Sequence, residues 1–110
     1  MEFESSTRDS YPVVKLQGRF DAHEVEPVRV WLHEQIVMEN PKIIVNLAGV
    51  HFIDSTALST LVRGLKHCRE KNGDLHLCNL QQPVRVIFEL TRLDKAFDIF
   101  ATEEEAAHAF

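Results

Sequence analysis

Within Lys42–Leu47 the residues Ile43-Ile44-Val45 form an unbroken apolar run. A strand with no polar face is buried on both sides, and such strands are typical of parallel sheets covered by helices. The run therefore asks for helices on both sides of a sheet, and the rest of the chain must supply them. After Asn46 and Leu47 the segment Ala48–Ile53 reads as a short loop, and Asp54-Ser55-Thr56 opens a helix. Three small polar side chains are thus presented at a helix N-terminus. There the orphan backbone N–H groups and the positive end of the helix dipole favour a cap, an anion or a phosphate.

The flanking segments alternate in type. Met1–Glu4 reads as a short edge strand and Ser5–Ser10 as a turn or frayed arm. Tyr11–Gln17 is a strand with Val13, Val14 and Leu16 apolar, ended by Gly18; Gly18-Arg19-Phe20-Asp21 is a strand-to-helix loop. Asp21 is a cap or near-cap acid for a helix that has Pro27 close to its start. Val25, Val28, Trp31, Leu32, Ile36 and Val37 form its apolar stripe, and it should stop near Asn40, because Pro41 disfavours helical geometry in the residue before it. Thr56–Lys71 has the strongest helical pattern: Leu58, Leu61, Val62, Leu65 and Cys68 recur at helical spacing, and Asn72-Gly73 supplies a left-handed end. Asp74–Asn79 alternates as a strand, with Leu75 and Leu77 opposite His76 and Cys78. Pro83 starts another helix with Val84, Ile87, Phe88 and Leu90 on its apolar face. Ala96–Phe100 is a last strand, and Thr102 with Glu105 forms a capping box before a final helix. The order ββαβαβαβα implies an α/β fold with a mixed, mainly parallel sheet and packed helices. The 110 residues suit a single domain, 1–110.

Composition narrows the function. Asp and Glu outnumber Lys and Arg by 17 to 12, for a net charge of −5, which argues against a nucleic-acid partner. No apolar run reaches the ~20 residues of a membrane span and no signal peptide opens the chain, so membrane insertion is not expected and the expected compartment is the cytoplasm. Cys68 and Cys78 form no CxxC pair and read as free core thiols. No HExxH, GxGxxG or GxxxxGK[ST] motif is present, so no metal or nucleotide cofactor is implied.

Ser55 reads in two ways from the residues alone. As chemistry it is a nucleophile or a phosphate acceptor; as structure it is an N-cap. No Gly-x-Ser-x-Gly elbow surrounds it, and nothing in the sequence sets His51 against it as a base. Asp54 reads likewise as a metal ligand or a cap. Asp21 and Asp54 both lie in strand-to-helix loops, and in a parallel sheet both loops emerge at the carboxyl ends of the strands, where open α/β sheets bind ligands.

Several segments together resemble a known family. Ile44-Val45-Asn46-Leu47 followed by Val50-His51-Phe52-Ile53-Asp54-Ser55-Thr56-Ala57-Leu58 is similar to a hydrophobic strand and "F-x-D-S-[ST]-[GA]-L" signature. Gly18-Arg19-Phe20-Asp21 is similar to a "G-x-[LF]-D" loop, and Asp74–Asn79 with Pro83-Val84-Arg85 to an "L-x-L…P-V-R" segment. These are features of the STAS domain, and more closely of the bacterial anti-sigma factor antagonists, over roughly Val13 to Phe110. The resemblance implies a protein without catalysis of its own. Unphosphorylated, it would bind an anti-sigma factor that is also a serine kinase. Phosphorylation of Ser55, or alternatively Thr56, would dissociate the pair, and a metal-dependent serine phosphatase would reset it. Asp21, Asp54, Ser55, Thr56, Ala57 and Leu58 are the implied contact residues. Departures from the pattern are Ala57 and Ser59, where glycine is frequent, and Arg92, in place of the glycine of a "[ST]-G-L" segment. Two other readings stand beside this one: a STAS scaffold or transporter subunit in which Ser55 is only a cap, and a small enzyme using Ser55, Asp54 and Asp21.

Overall fold

The computed structural model describes residues 1–110. In chain order the elements are β1 (Glu2–Arg8), β2 (Tyr11–Phe20), α1 (Val25–Ile36), β3 (Lys42–Ile53), α2 (Ser55–Glu70), β4 (Asp74–Cys78), α3 (Gln82–Leu90), a 3₁₀ turn (Leu93–Lys95), β5 (Asp98–Phe100) and α4 (Glu103–His108). The five strands form one sheet in the order β1-β2-β3-β4-β5. β1 is antiparallel to β2, and every other neighbouring pair is parallel.

A sheet that grows in one direction through right-handed crossovers places every crossover helix on the same face. Accordingly, Val28 and Leu32 of α1, Leu61 and Leu65 of α2, and Val84 and Phe88 of α3 share one core with Val14, Leu16, Ile43, Val45, Leu47, Leu75 and Leu77. The other face is left to α4, where Ala106 and Ala107 cover Val13, Ile44 and Cys78. Ile43 and Val45 thus face one core and Ile44 the other, which accounts for the unbroken apolar run. Cys68 and Cys78 are free and buried. Burial pushes both thiols up to about 12, so both remain protonated and unreactive at neutral pH.

The structure differs from the sequence reading at several boundaries. Ser5–Ser10 is not an arm: β1 runs to Arg8, and only Asp9 and Ser10, with φ of 51° and 73°, form the turn to β2. Gly18-Arg19-Phe20 continues β2 rather than forming a loop. β3 extends through the expected loop to Ile53, because Gly49 to Ile53 stay paired with Gln17 to Phe20 across register shifts. α1 ends at Ile36, earlier than Asn40, and Val37 is exposed. The last strand starts at Asp98, since Leu93–Lys95 turns first. On α3, Leu90 faces solvent.

Arg92 stands in the left-handed region, φ 64° and ψ 13°, immediately after α3. Its N–H donates to the carbonyl of Glu89, 3.2 Å away, so the conformation closes the helix. A residue with a Cβ pays steric strain there, roughly 1–2 kcal/mol, while glycine loses more chain entropy on folding. Arg92→Gly is therefore expected to raise stability by roughly 0.5–1 kcal/mol, or about 2–6 °C in thermal midpoint, read by circular dichroism melting. An unchanged or lower midpoint would show that the exposed Arg92 side chain makes up the difference.

No helix is long and apolar enough to cross a membrane.

Candidate functional site

Phe20 and Ile53 are paired in register at the carboxyl ends of adjacent parallel strands. The residues that follow them closely, Asp21 and Asp54, are therefore brought to the same edge of the sheet. Backbone pairing continues to that point: the N–H of Asp54 donates to the carbonyl of Phe20 at 3.3 Å.

Asp54, not Ser55, caps α2. Its Oδ1 accepts from the N–H of Ala57 at 2.9 Å. Its Oδ2 accepts from the N–H of Ala22, also at 2.9 Å, on the neighbouring loop. One carboxylate thus closes the helix end and ties the two loops together. The backbone donors, Ala57 first, hold its carboxyl below the ordinary value of 3.8. A depressed value in the folded state means that its contribution to stability is present above pH 3.8 and is lost as pH falls through the folded value. Asp54→Ala is expected to cost about 1–2 kcal/mol at pH 7, the upper range for a cap, because a second donor is orphaned with the first. Asp54→Asn should cost less. Urea denaturation at pH 7 and at pH 3 checks both points, since the gap between wild type and Asp54→Ala should shrink at the lower pH.

Asp21 does not cap α1; the cap position is Glu24, which makes no side-chain cap bond. Asp21 instead shapes its own turn. Its Oδ1 accepts from the N–H of His23 at 3.1 Å, and its carbonyl from the N–H of Glu24 at 3.0 Å. Arg19 approaches its Oδ2 at 3.5 Å. The Arg19 guanidinium also lies over the half-exposed ring of Phe52, 3.9 Å from the centroid. Sequence reasoning missed this pair, although the β2–β3 register, which sets Arg19 opposite Phe52, brings it together.

With the cap supplied by Asp54, Ser55 occupies the first position of α2 with its side chain exposed, and Thr56 beside it is exposed too. Ala57 is completely buried and has no surface to offer a partner; Leu58 is 9 % exposed. Ser55, Leu58, Ser59, Val62, Arg63 and Leu93 line a shallow, open depression. The sequence reading set Val62 on the core stripe and marked Ser59 only as a departure from the family pattern, and Leu93 it did not name; a helical step of four from Ser55 and Leu58 leads to the first two. The structure gives no hydrogen bond between His51 and Ser55.

Residues 2–106 match the family model described as the STAS domain. The anti-sigma F factor antagonist of Paenibacillus polymyxa is 27 % identical over 95 residues, covering 86 % of this chain and 81 % of the relative. The solved structure of the anti-sigma factor antagonist SpoIIAA in its unphosphorylated form superposes with a TM-score of 0.82 at 27 % identity, covering 96 % of this chain and 93 % of that one. The Bacillus cell fate determinant SpoIIAA in the phosphorylated form gives 0.77 at 25 % identity, covering 98 % of both chains. The sheet order, the helix arrangement and the match along nearly the whole length agree, and the chain belongs to the STAS domain family.

Proposed function

We propose that this protein is an anti-sigma factor antagonist working as a phosphorylation-controlled partner switch in the cytoplasm. Unphosphorylated, the edge formed by Asp21, Asp54, Ser55, Thr56 and Leu58 binds an anti-sigma factor with serine kinase activity. Phosphate transferred to Ser55 releases that partner, and a metal-dependent serine phosphatase restores binding. The observation that carries the reading is that Asp54 takes the cap role and leaves the Ser55 hydroxyl exposed at the first turn of α2. A serine needed as the cap would be turned back onto its own helix; this one faces outward. A phosphate on it would lie where the helix N-terminus favours negative charge. That SpoIIAA is known in a phosphorylated and an unphosphorylated form of similar fold supports the same reading.

Phosphopeptide mass spectrometry on the protein isolated from its native cells, in growth and under stress, tests it. The expected result is phosphate on Ser55 with an occupancy that changes with condition. Phosphate on Thr56 alone would keep the switch and move its acceptor. No phosphate in any condition would overturn the switch in favour of a constitutive scaffold.

A further inference from the structure

At the opposite end of the parallel strands, away from Ser55, lies a second cluster. Asp74 and His76 are two apart on β4 and so point to the same face of the sheet. Asp98 on β5 is the residue paired with His76. His76 is 2 % exposed. The Phe110 ring stacks on it at 3.8 Å between centroids, and Phe100 lies 4.9 Å away.

Each nitrogen of this buried ring faces an acceptor. Nδ1 is 2.8 Å from the carbonyl oxygen of Ala106. A carbonyl only accepts, so Nδ1 carries the ring proton. In the neutral ring Nε2 then turns its lone pair to Oδ2 of Asp74 at 3.5 Å and Oδ2 of Asp98 at 3.9 Å. Three electron-rich atoms converge with no donor between them, and an arrangement of that kind calls for a cation.

A metal ion fits the spacing of the three atoms. Zinc bonds to imidazole and carboxylate of about 2.0–2.1 Å put tetrahedral ligand atoms about 3.3–3.5 Å apart. The three ligand atoms lie within 4.8 Å of one another. The Asp98 side chain is 59 % exposed and free to close the remaining gap. Asp74 is already oriented, since its other oxygen accepts from Arg69 Nε at 3.2 Å and from the N–H of Leu75 at 2.9 Å. A ligand histidine whose second nitrogen donates to a carbonyl, and a ligand carboxylate whose second oxygen is hydrogen-bonded, are the usual outer supports of a metal site.

We propose that Asp74, His76 and Asp98 bind a first-row divalent metal ion, with zinc the best fit to one imidazole and two carboxylates and a fourth position left to water. The ion would join β4 to β5 and, through the Ala106 carbonyl on Nδ1, to α4.

Zinc titrated by calorimetry into the chelator-treated full-length protein, with magnesium as the comparison, tests the proposal. One zinc per chain is expected, with a raised thermal midpoint and no response to magnesium. Asp98→Asn, at an exposed position, should keep the fold by circular dichroism and lose at least tenfold in affinity. Nitrogen NMR on the wild type reads the site directly, and zinc should shift His76 Nε2 and leave Nδ1 protonated. The other five histidines, His23, His33, His51, His67 and His108, are all exposed. Zinc binding that survives Asp98→Asn unchanged would assign the metal to them and overturn the proposal. So would a His76 Nε2 signal that does not move in excess zinc.

Discussion

Ser55→Asp is expected to weaken binding to the proposed anti-sigma kinase partner by roughly two to three powers of ten, while Ser55→Ala keeps affinity near that of wild type. The reasoning starts from the helix end. The first turn of α2 contains no acid, and its cap, Asp54, is already committed to the N–H groups of Ala57 and Ala22. A negative charge at position 55 is favoured by the helix dipole by about 0.3–1 kcal/mol, and repulsion from Asp54 offsets a similar amount. The isolated protein should therefore melt within a few degrees of wild type. In the complex the balance is different. A partner surface seated over Ser55 strips water from the new charge beside the Asp54 carboxylate and offers it no counter-ion. Leaving a buried charge uncompensated costs about 3–5 kcal/mol, and every ~1.4 kcal/mol is tenfold in affinity. A true phosphate, with about −1.5 to −2 charges, should act at least as strongly. Calorimetric titration of the three proteins into the kinase, once phosphopeptide mapping and co-purification have identified it, gives the answer. Equal affinity for wild type and Ser55→Asp would sink the electrostatic mechanism, and strong loss in Ser55→Ala would mean that the hydroxyl itself is a contact.

Much of this site was legible in the sequence, for a definite reason. Alternating strands and helices imply parallel pairing, and parallel pairing alone brings the loops holding Asp21 and Asp54 to one edge. The helix α2 was legible because Leu58, Leu61, Leu65 and Cys68 all turn to one core. The assignment of the cap was not, since Asp54 and Ser55 are both good cap residues and only the dihedral angles tell them apart: Asp54 is extended, with ψ of 178°. β1 was largely illegible because all seven of its residues are exposed. Such a strand has no apolar rhythm; it is held by backbone pairing to β2 and by the Trp31 indole, which donates to Ser5 Oγ at 3.1 Å. The second half of β3 was hidden by Ala48-Gly49, which interrupts the apolar run where β2 and β3 shift register. The convergence of Asp74, His76 and Asp98 needs the β4–β5 register, which no local pattern encodes.

Gly73→Ala is expected to be the most damaging single methyl addition near the sheet, costing about 3 kcal/mol and lowering the thermal midpoint by roughly 10–20 °C. The end of α2 divides its needs between two residues. Asn72 takes the left-handed conformation, φ 64°, and its N–H donates to the carbonyl of Arg69. Gly73 then donates to the carbonyl of Cys68 at 2.8 Å, completing a Schellman close. Gly73 itself has no positive φ, so dihedral freedom is not what the position requires. Space is: a Cβ there would lie 1.9 Å from the carbonyl oxygen of Pro41 and 2.7 Å from its carbon and nitrogen. All three are backbone atoms and no rotamer change removes them. The Pro41 carbonyl is moreover the acceptor for the N–H of Asp74 at 2.9 Å, and Lys42 and Asp74 open the β3–β4 ladder. Relieving the clash means moving the starts of both strands, and with them the first hydrogen bonds between β3 and β4. Gly64→Ala is the matched control. Its Cβ would meet only the side-chain ends of Leu32 and Leu75 at 3.3 Å, and a helix interior gains about 1 kcal/mol from the same change. Melting curves should therefore leave Gly64→Ala within a few degrees of wild type and displace Gly73→Ala far below it. If the two variants melt together, the contact with Pro41 yields more readily than close-packed backbone should, and the entry to β4 is not the rigid joint that this geometry describes.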